Sequence, residues 1–201
     1  MKNILIVDDH NVVRQGLIRV LQDVLELSAT FEEAADGYQA VKMVNANVYD
    51  LVLLDISLPD QNGLSLLKNL LLQNPRLSVI ILSSHPEEQY CVRALRSGAS
   101  GYVHKGSGAA VLKEAIEKVL SGRKYVSPTQ AELLTEAICD NSESKSPHET
   151  LSDRELQLAC MMTAGYTLTE IAKKLNLSVK TVSTYRTRVL EKLNLRTTAD
   201  I

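Results

Sequence analysis

The chain has 201 residues, is 45% hydrophobic and 23% charged, contains no Trp, and carries a formal net charge of −2. That length holds one large or two small domains with enough core for either, and the composition is that of an ordinary soluble protein. The apolar runs are far too short to cross a bilayer, the acids of "MKNILIVDDH" exclude a signal peptide, and Cys91, Cys139 and Cys160, odd in number with no CxxC, argue against a disulfide framework or a zinc site and for a reducing cytoplasm.

Charge is unevenly spread. Residues 1–150 hold 14 Lys and Arg against 19 Asp and Glu, whereas residues 151–201 hold 8 against 5. An acidic front and a basic tail point to two modules, the second suited to a polyanionic partner.

In chain order, "NILIV" (3–7), "ATFEEA" (29–34), "LVLL" (51–54), "SVIILS" (78–83) and "SGYVH" (100–104) read as strands. Between them apolar residues recur at helical spacing, as at Val13, Leu17 and Leu21, and at Leu64, Leu67 and Leu71. "GAAVLKEAIEKVLSG" adds a fifth helix, closed by Gly122. Alternating βα units predict a parallel sheet with helices on both faces, and right-handed crossovers favour a flavodoxin-like doubly wound α/β sheet of five strands. "SPTQAELLTEAI" (127–138) predicts one more helix, and "CDNSESKSPHET" (139–150) is polar, Ser-rich and without apolar periodicity, a linker. From Leu151 onward the pattern is purely helical, which predicts a small all-α domain. The expected division is 1–122, then a helix and flexible linker over 123–147, then 148–201.

In a doubly wound sheet, ligands bind outside the carboxyl ends of the strands. Asp8 and Asp9 end the first strand, Asp55 the third and Ser83 the fourth, and Lys105 follows the fifth. All five groups therefore fall on one rim. Two like charges about 4 Å apart repel by roughly 4 kcal/mol at an effective dielectric near 20, so either a carboxylate takes up a proton or a cation joins the acids. An octahedral Mg2+, which takes one or two carboxylates and then substrate phosphate, suits this set. Beside such a cation an Asp can attack phosphorus and form an aspartyl-phosphate, with Lys105 and the Ser83 hydroxyl holding the phosphoryl oxygens.

"ILIVDDH", "DISLPDQNG", "IILSS" and "GASGYVHK", in this order and spacing, resemble the receiver domain of bacterial two-component response regulators across about residues 1–122. The resemblance implies that Asp55 is the phosphoacceptor and that Asp8 and Asp9 form the acid pair. It implies Mg2+ ligation by Asp9, Asp55 and the backbone carbonyl of Ser57, with Ser83 and Tyr102 as a switch pair and Lys105 as the phosphate-binding lysine. Tyr102 on an apolar strand also fits plain core, Ser83 a helix cap, and Lys105 a simple ion pair. Gly106 stands where many receivers have Pro.

The tail "LTEIAKKLNLSVKTVSTYRTRVLEKLNL" (168–195) splits into two helical patterns. Ile171, Ala172 and Leu175 line one face of the first; "NLS" turns the chain, with Ser178 as N-cap. Val182, Val189 and Leu193 line the core face of the second, leaving Lys180, Ser183, Thr184, Thr187 and Arg188 opposite and Arg186 at the flank. This is the layout of a DNA-reading helix-turn-helix, though a basic solvated helix in a small bundle shares it. "LSDRE" (151–155) together with "AGYTLTEIAKKLNLSVKTVSTYRTRVLEKLNL" closely resembles the LuxR-type output domain, and the chain as a whole looks like a response regulator of the NarL/FixJ class. The likeness implies Ser183, Thr184 and Thr187 at base edges, and Thr181, Tyr185, Arg186, Arg188 and Lys192 near phosphates. Tyr185 stands where this family often has His, and "TTADI" after Arg196 is too short for a stable helix alone.

The expected protein is a cytoplasmic, Mg2+-dependent transcription regulator, not a conventional enzyme. A sensor histidine kinase phosphorylates it on Asp55, it binds double-stranded DNA, and it forms a homodimer when phosphorylated or DNA-bound, through receiver faces or through DNA; no membrane partner is expected. Two other readings fit parts of the pattern. A haloacid-dehalogenase-like phosphatase also uses a strand-end Asp, Mg2+ and a lysine, but wants a second Asp where Ser57 stands. A phosphorelay or protein-interaction module would use the basic tail to bind protein.

Overall fold

The computed structural model describes residues 2–24, 29–139 and 150–201. Five strands, β1 (Lys2–Val7), β2 (Ala29–Ala34), β3 (Leu51–Asp55), β4 (Val79–Ser83) and β5 (Gly101–His104), form an all-parallel sheet in the order β2-β1-β3-β4-β5. The strand order reverses beside β1, which opens a crevice at the carboxyl ends of β1 and β3. β3 and β4 are buried at every residue, as continuous apolar runs between two helix layers require. β2 alternates because it is an edge strand.

Helices α1 (Asn11–Val24) and α5 (Ala109–Leu120) cover one face, where Leu21, Leu112, Ile116 and Val119 pack on Ile4, Leu53 and Ile80. α2 (Gly37–Ala46), α3 (Gly63–Gln73) and α4 (Glu87–Arg96) cover the other, with Ala40, Leu67 and Tyr90 on Leu5, Val52 and Ile81. Caps set the helix starts. The Asp36 side chain accepts from the Gln39 amide ahead of α2, and that of Asn62 accepts from the Leu64 amide ahead of α3.

α6 (Pro128–Cys139) lies against α4, held by Arg96 Nη2 donating to the Ala137 carbonyl at 2.7 Å. Residues 140–149, most of the stretch read as a linker, lie outside the described residues. The tail folds as α7 (Asp153–Thr163), α8 (Leu168–Lys174) and α9 (Val179–Leu193), followed by a short 3-10 turn at Thr198–Asp200. Capping boxes open α7 (Ser152 with Glu155) and α8 (Thr167 with Glu170), and Ser178 caps α9 by accepting from the Thr181 amide. Asn194, left-handed at φ 54, closes α9, a conformation Asn tolerates better than most residues. Among the described residues of 150–201 no strand occurs. Leu151, Leu156, Leu158, Ile171, Val182 and Val189 belong to the same continuous apolar cluster as the α2–α4 face of the sheet. The helical tail therefore packs directly on that face of the sheet domain.

Candidate functional site

The strand ends bring the acids and the lysine together. Asp8 is 1% exposed and Asp55 3%, and Lys105 Nζ sits between them, 2.6 Å from Asp8 Oδ2 and 3.0 Å from Asp55 Oδ2. Two buried carboxylates sharing one ammonium is a cheaper arrangement than two facing each other. Burial pushes the Asp55 carboxyl above the ordinary carboxylate range; Lys105 pulls it down and Asp8 pushes it up further. Burial works to lower the Lys105 ammonium, but Asp55 and Asp8 together hold it above the usual lysine value.

The loops around the site are pinned by backbone chemistry. His10 donates its amide to Asp8 Oδ1 at 2.8 Å, and Arg14 Nη1 donates to the Asp8 carbonyl at 2.6 Å. After Asp55 the chain doubles back so that the Gly63 amide donates to the Ile56 carbonyl at 2.8 Å. A side chain at Gly63 would place Cβ 2.2 Å from the Asp55 carbonyl oxygen, so glycine is required for this close approach. Lys105 is held by its own amide, which donates to the Ser83 carbonyl at 2.7 Å.

Ser83 and Tyr102 meet on a residue the sequence reading passed over. The Ser83 hydroxyl accepts from the His85 amide at 3.0 Å, and the fully buried Tyr102 hydroxyl donates to the His85 carbonyl at 3.2 Å. His85 Nε2 also lies 3.2 Å from Ser57 Oγ, which links the β4 loop to the β3 loop. Gln130 of α6 donates to the Tyr102 carbonyl and to Glu87, at 3.0 and 2.7 Å, so β5, α4 and α6 are tied through one side chain.

The donor set suits a hard divalent cation. Asp8, Asp9 and His10 each place a ligand atom within 4.8 Å of the others, Asp9 lies partly in solvent, and His10 Nδ1 is 2.7 Å from Asp9 Oδ1. Carboxylate oxygens open to water on one side are what Mg2+ takes.

On the tail, Lys180, Ser183, Thr184, Thr187 and Arg188 are exposed along α9, as their spacing predicts. Thr181, Tyr185 and Arg186 are half-buried. Arg186 Nε donates to Thr198 Oγ1 at 2.6 Å, and Lys192 Nζ lies 2.6 Å from Glu155 Oε2, so both basic groups also brace the domain. The Arg188 guanidinium stands 6.0 Å from the Tyr185 ring centroid.

Between rim and tail lies a cavity of about 430 Å3, lined by Asp9, Asp55, Ser57 and Lys105 below and by Gln157, Tyr166 and Lys174 above. Asn62, 2% exposed, joins the two sides: its Nδ2 donates to the Asp153 carbonyl at 3.2 Å and to Gln157 Oε1 at 3.4 Å. Lys68 Nζ is 2.7 Å from Asp153 Oδ2, and Arg93 Nη1 donates to the Leu151 carbonyl at 2.7 Å. None of these contacts is legible in the sequence, because no local periodicity says which face of one domain meets the other.

A doubly wound sheet with an acid–lysine rim, followed by a helix-turn-helix, defines a response regulator. Residues 4–117 match the response regulator receiver domain family, and residues 149–201 match the luxR family of bacterial regulatory proteins. The chain belongs to the DNA-binding response regulators of two-component systems, in the NarL/FixJ class.

Among its relatives is response regulator UvrY of Escherichia coli K12, 36% identical over 195 residues, 97% of this chain and 89% of that protein. Response regulator GacA of Pseudomonas aeruginosa is 35% identical over 201 residues, 100% of this chain and 92% of that protein. Among solved structures, RcsB from Salmonella enterica serovar Typhimurium, bound to promoter rprA in the presence of the phosphomimetic BeF3-, aligns over 98% of this chain and 94% of its own, with TM-score 0.65 and 25% identity. No helix among the described residues is long and apolar enough to cross a membrane.

Proposed function

We propose that Asp55 is the phosphoacceptor, that a sensor histidine kinase is the donor, and that α9 reads double-stranded DNA. The observation that carries this reading is the placement of Lys105 between Asp8 and Asp55, 2.6 and 3.0 Å away, at the carboxyl edge of the sheet. An Asp55 oxygen attacks the phosphorus of the donor's phosphohistidine; the P–N bond breaks, the imidazole leaves with the bonding pair and takes up a proton, and an acyl phosphate forms on Asp55.

Asp8, Asp9, Asp55 and the Ser57 backbone carbonyl would hold Mg2+, which when bound neutralises charge on the phosphoryl oxygens. Lys105, freed from its bridge, holds a phosphoryl oxygen, and the Ser83 hydroxyl donates to another. Turning Ser83 toward the phosphate takes away the acceptor of the His85 amide, and the Tyr102 hydroxyl, bonded to the His85 carbonyl, shifts with it. The result is a population shift in the β4–α4 region, against which α6 packs.

On α9, Ser183, Thr184 and Thr187 face base edges, while Lys180, Thr181, Tyr185, Arg186, Arg188 and Lys192 lie toward phosphates. Two chains brought together by phosphorylation or by DNA read half-sites about one helical turn apart. The protein works in the cytoplasm, where DNA and the kinase's catalytic part are found.

The test is chemical. Acetyl phosphate with Mg2+ should add one acid-stable, base-labile phosphoryl group, and Asp55→Asn should abolish it. Equal labelling of that variant would overturn the assignment.

A further inference from the structure

We propose that the output domain acts as a donor filter over Asp55: in the closed arrangement it admits a small phosphodonor and turns away a phosphohistidine carried on a folded helical bundle. The inference rests on Asp55 being the phosphoacceptor and goes beyond that reading to which donors can reach it.

The cavity above Asp55 has a floor from one domain and a roof from the other. Asp9, Asp55 and Lys105 lie below, and Gln157, Tyr166 and Lys174 above. Its volume is about 430 Å3, room for a small ligand. A folded helical bundle aimed at Asp55 through this cavity meets Gln157, Tyr166 and Lys174 first, so the roof must move before its histidine reaches Asp55.

The roof is fastened by polar contacts away from the chemistry, among them Cys160 Sγ donating to Gln89 Oε1 at 3.3 Å. Asn62, on the loop that follows Asp55, bonds Asp153 and Gln157; Lys68 pairs with Asp153 at 2.7 Å; Arg93 holds the Leu151 carbonyl at 2.7 Å. Beneath these polar contacts runs the apolar cluster shared by both domains. A lid fastened this way opens as a unit.

The DNA-reading face is placed differently. Ser183, Thr184, Thr187 and Arg188 are exposed, and the depression at the start of α9 is lined by Ser178, Lys180, Thr181, Thr184, Tyr185 and Arg188, all from the output domain itself. Closure therefore covers the phosphoacceptor and leaves the reading face open. Its direct effect falls on the donor. A bulky donor reacts only with the open fraction of molecules and is slowed by that fraction, whereas a small donor reacts with both.

The experiment compares the full chain with its Lys68→Ala/Arg93→Ala double variant, in which both changes remove fastenings outside the cavity. Labelling of Asp55 is timed from acetyl phosphate and from the autophosphorylated catalytic core of a sensor histidine kinase chosen because it transfers measurably to the intact chain. Transfer from the kinase core should quicken about tenfold in the double variant, while the acetyl phosphate rate stays within about twofold, which also shows the rim to be folded. Retention of the unphosphorylated variant on DNA should match that of the wild type. Equal acceleration from both donors, no acceleration from either, or a gain in DNA retention before phosphorylation would each overturn the filter. Failure of acetyl phosphate to label the wild-type chain at Asp55 would instead overturn the functional reading beneath it.

Discussion

Lys192 Nζ lies 2.6 Å from Glu155 Oε2, so a basic group of α9 pairs with the buried capping carboxylate of α7. Burial works to raise the Glu155 carboxyl, but Lys192 and the Ser152 donors together hold it below the ordinary glutamate value. A depressed carboxylate contributes stability that is present above its unfolded value and lost as pH falls through its folded one. Lys192→Ala should therefore destabilise the output domain by roughly 1–3 kcal/mol at neutral pH, with the gap to the wild type narrowing on acidification. Thermal melts from pH 7 to pH 3 measure this; a gap that stays constant with pH would place the lysine's value elsewhere.

Asp55 behaves in the opposite sense. Its carboxyl is raised, chiefly by burial, so between the unfolded value near 4 and the folded one the native state holds the extra proton, and stability falls as pH climbs through that window. With Mg2+ chelated, Asp55→Asn should melt above the wild type at neutral pH and alongside it once both carboxyls are protonated. A variant that melts lower at neutral pH would show that the Lys105 bridge outweighs the burial of charge.

Gly63→Ala tests the doubled-back loop. The added Cβ would meet the Asp55 carbonyl oxygen at 2.2 Å and the Ile56 Cα at 2.7 Å, both backbone atoms that cannot step aside cheaply. The expected cost is about 1–3 kcal/mol or more, with slower labelling by acetyl phosphate as the strand end carrying Asp55 shifts. Wild-type stability and labelling would show that the close approach relaxes without consequence.

Arg188 and Thr187 should separate affinity from sequence preference. Arg188 is exposed, and Arg188→Ala is expected to weaken binding to every DNA sequence and lower the salt slope by about one. Arg186→Ala should do the same and also loosen Thr198, which its Nε holds at 2.6 Å. Thr187→Ala should instead change the ranking of sequences at little cost in salt slope. Filter binding across a salt series distinguishes these, and an unchanged slope for Arg188→Ala would remove it from the phosphate contacts.

Much of this protein is legible along the chain because its signals are local. Continuous apolar runs such as Leu51–Leu54 belong in a sheet covered on both faces, and strands alternating with 3.6-period helices leave few topologies. Once the sheet is parallel, Asp8, Asp55, Ser83 and Lys105 must share an edge, because each follows its strand in the same direction. The face of α9 follows from spacing in the same way.

Other features depend on groups brought together across long separations, and there the sequence is silent. That Lys105 lies between Asp8 and Asp55, that His85 receives both Ser83 and Tyr102, and that Lys192 neutralises Glu155 are outcomes of packing. Asn62 reads in sequence as a turn residue before a helix; its second role, on Asp153 and Gln157, exists only because the two domains meet at that loop. Periodicity tells each domain which face to bury. Shape and polar pairing at the contact decide against what, and here that choice put the helical domain over Asp55 and left the polar face of α9 in solvent.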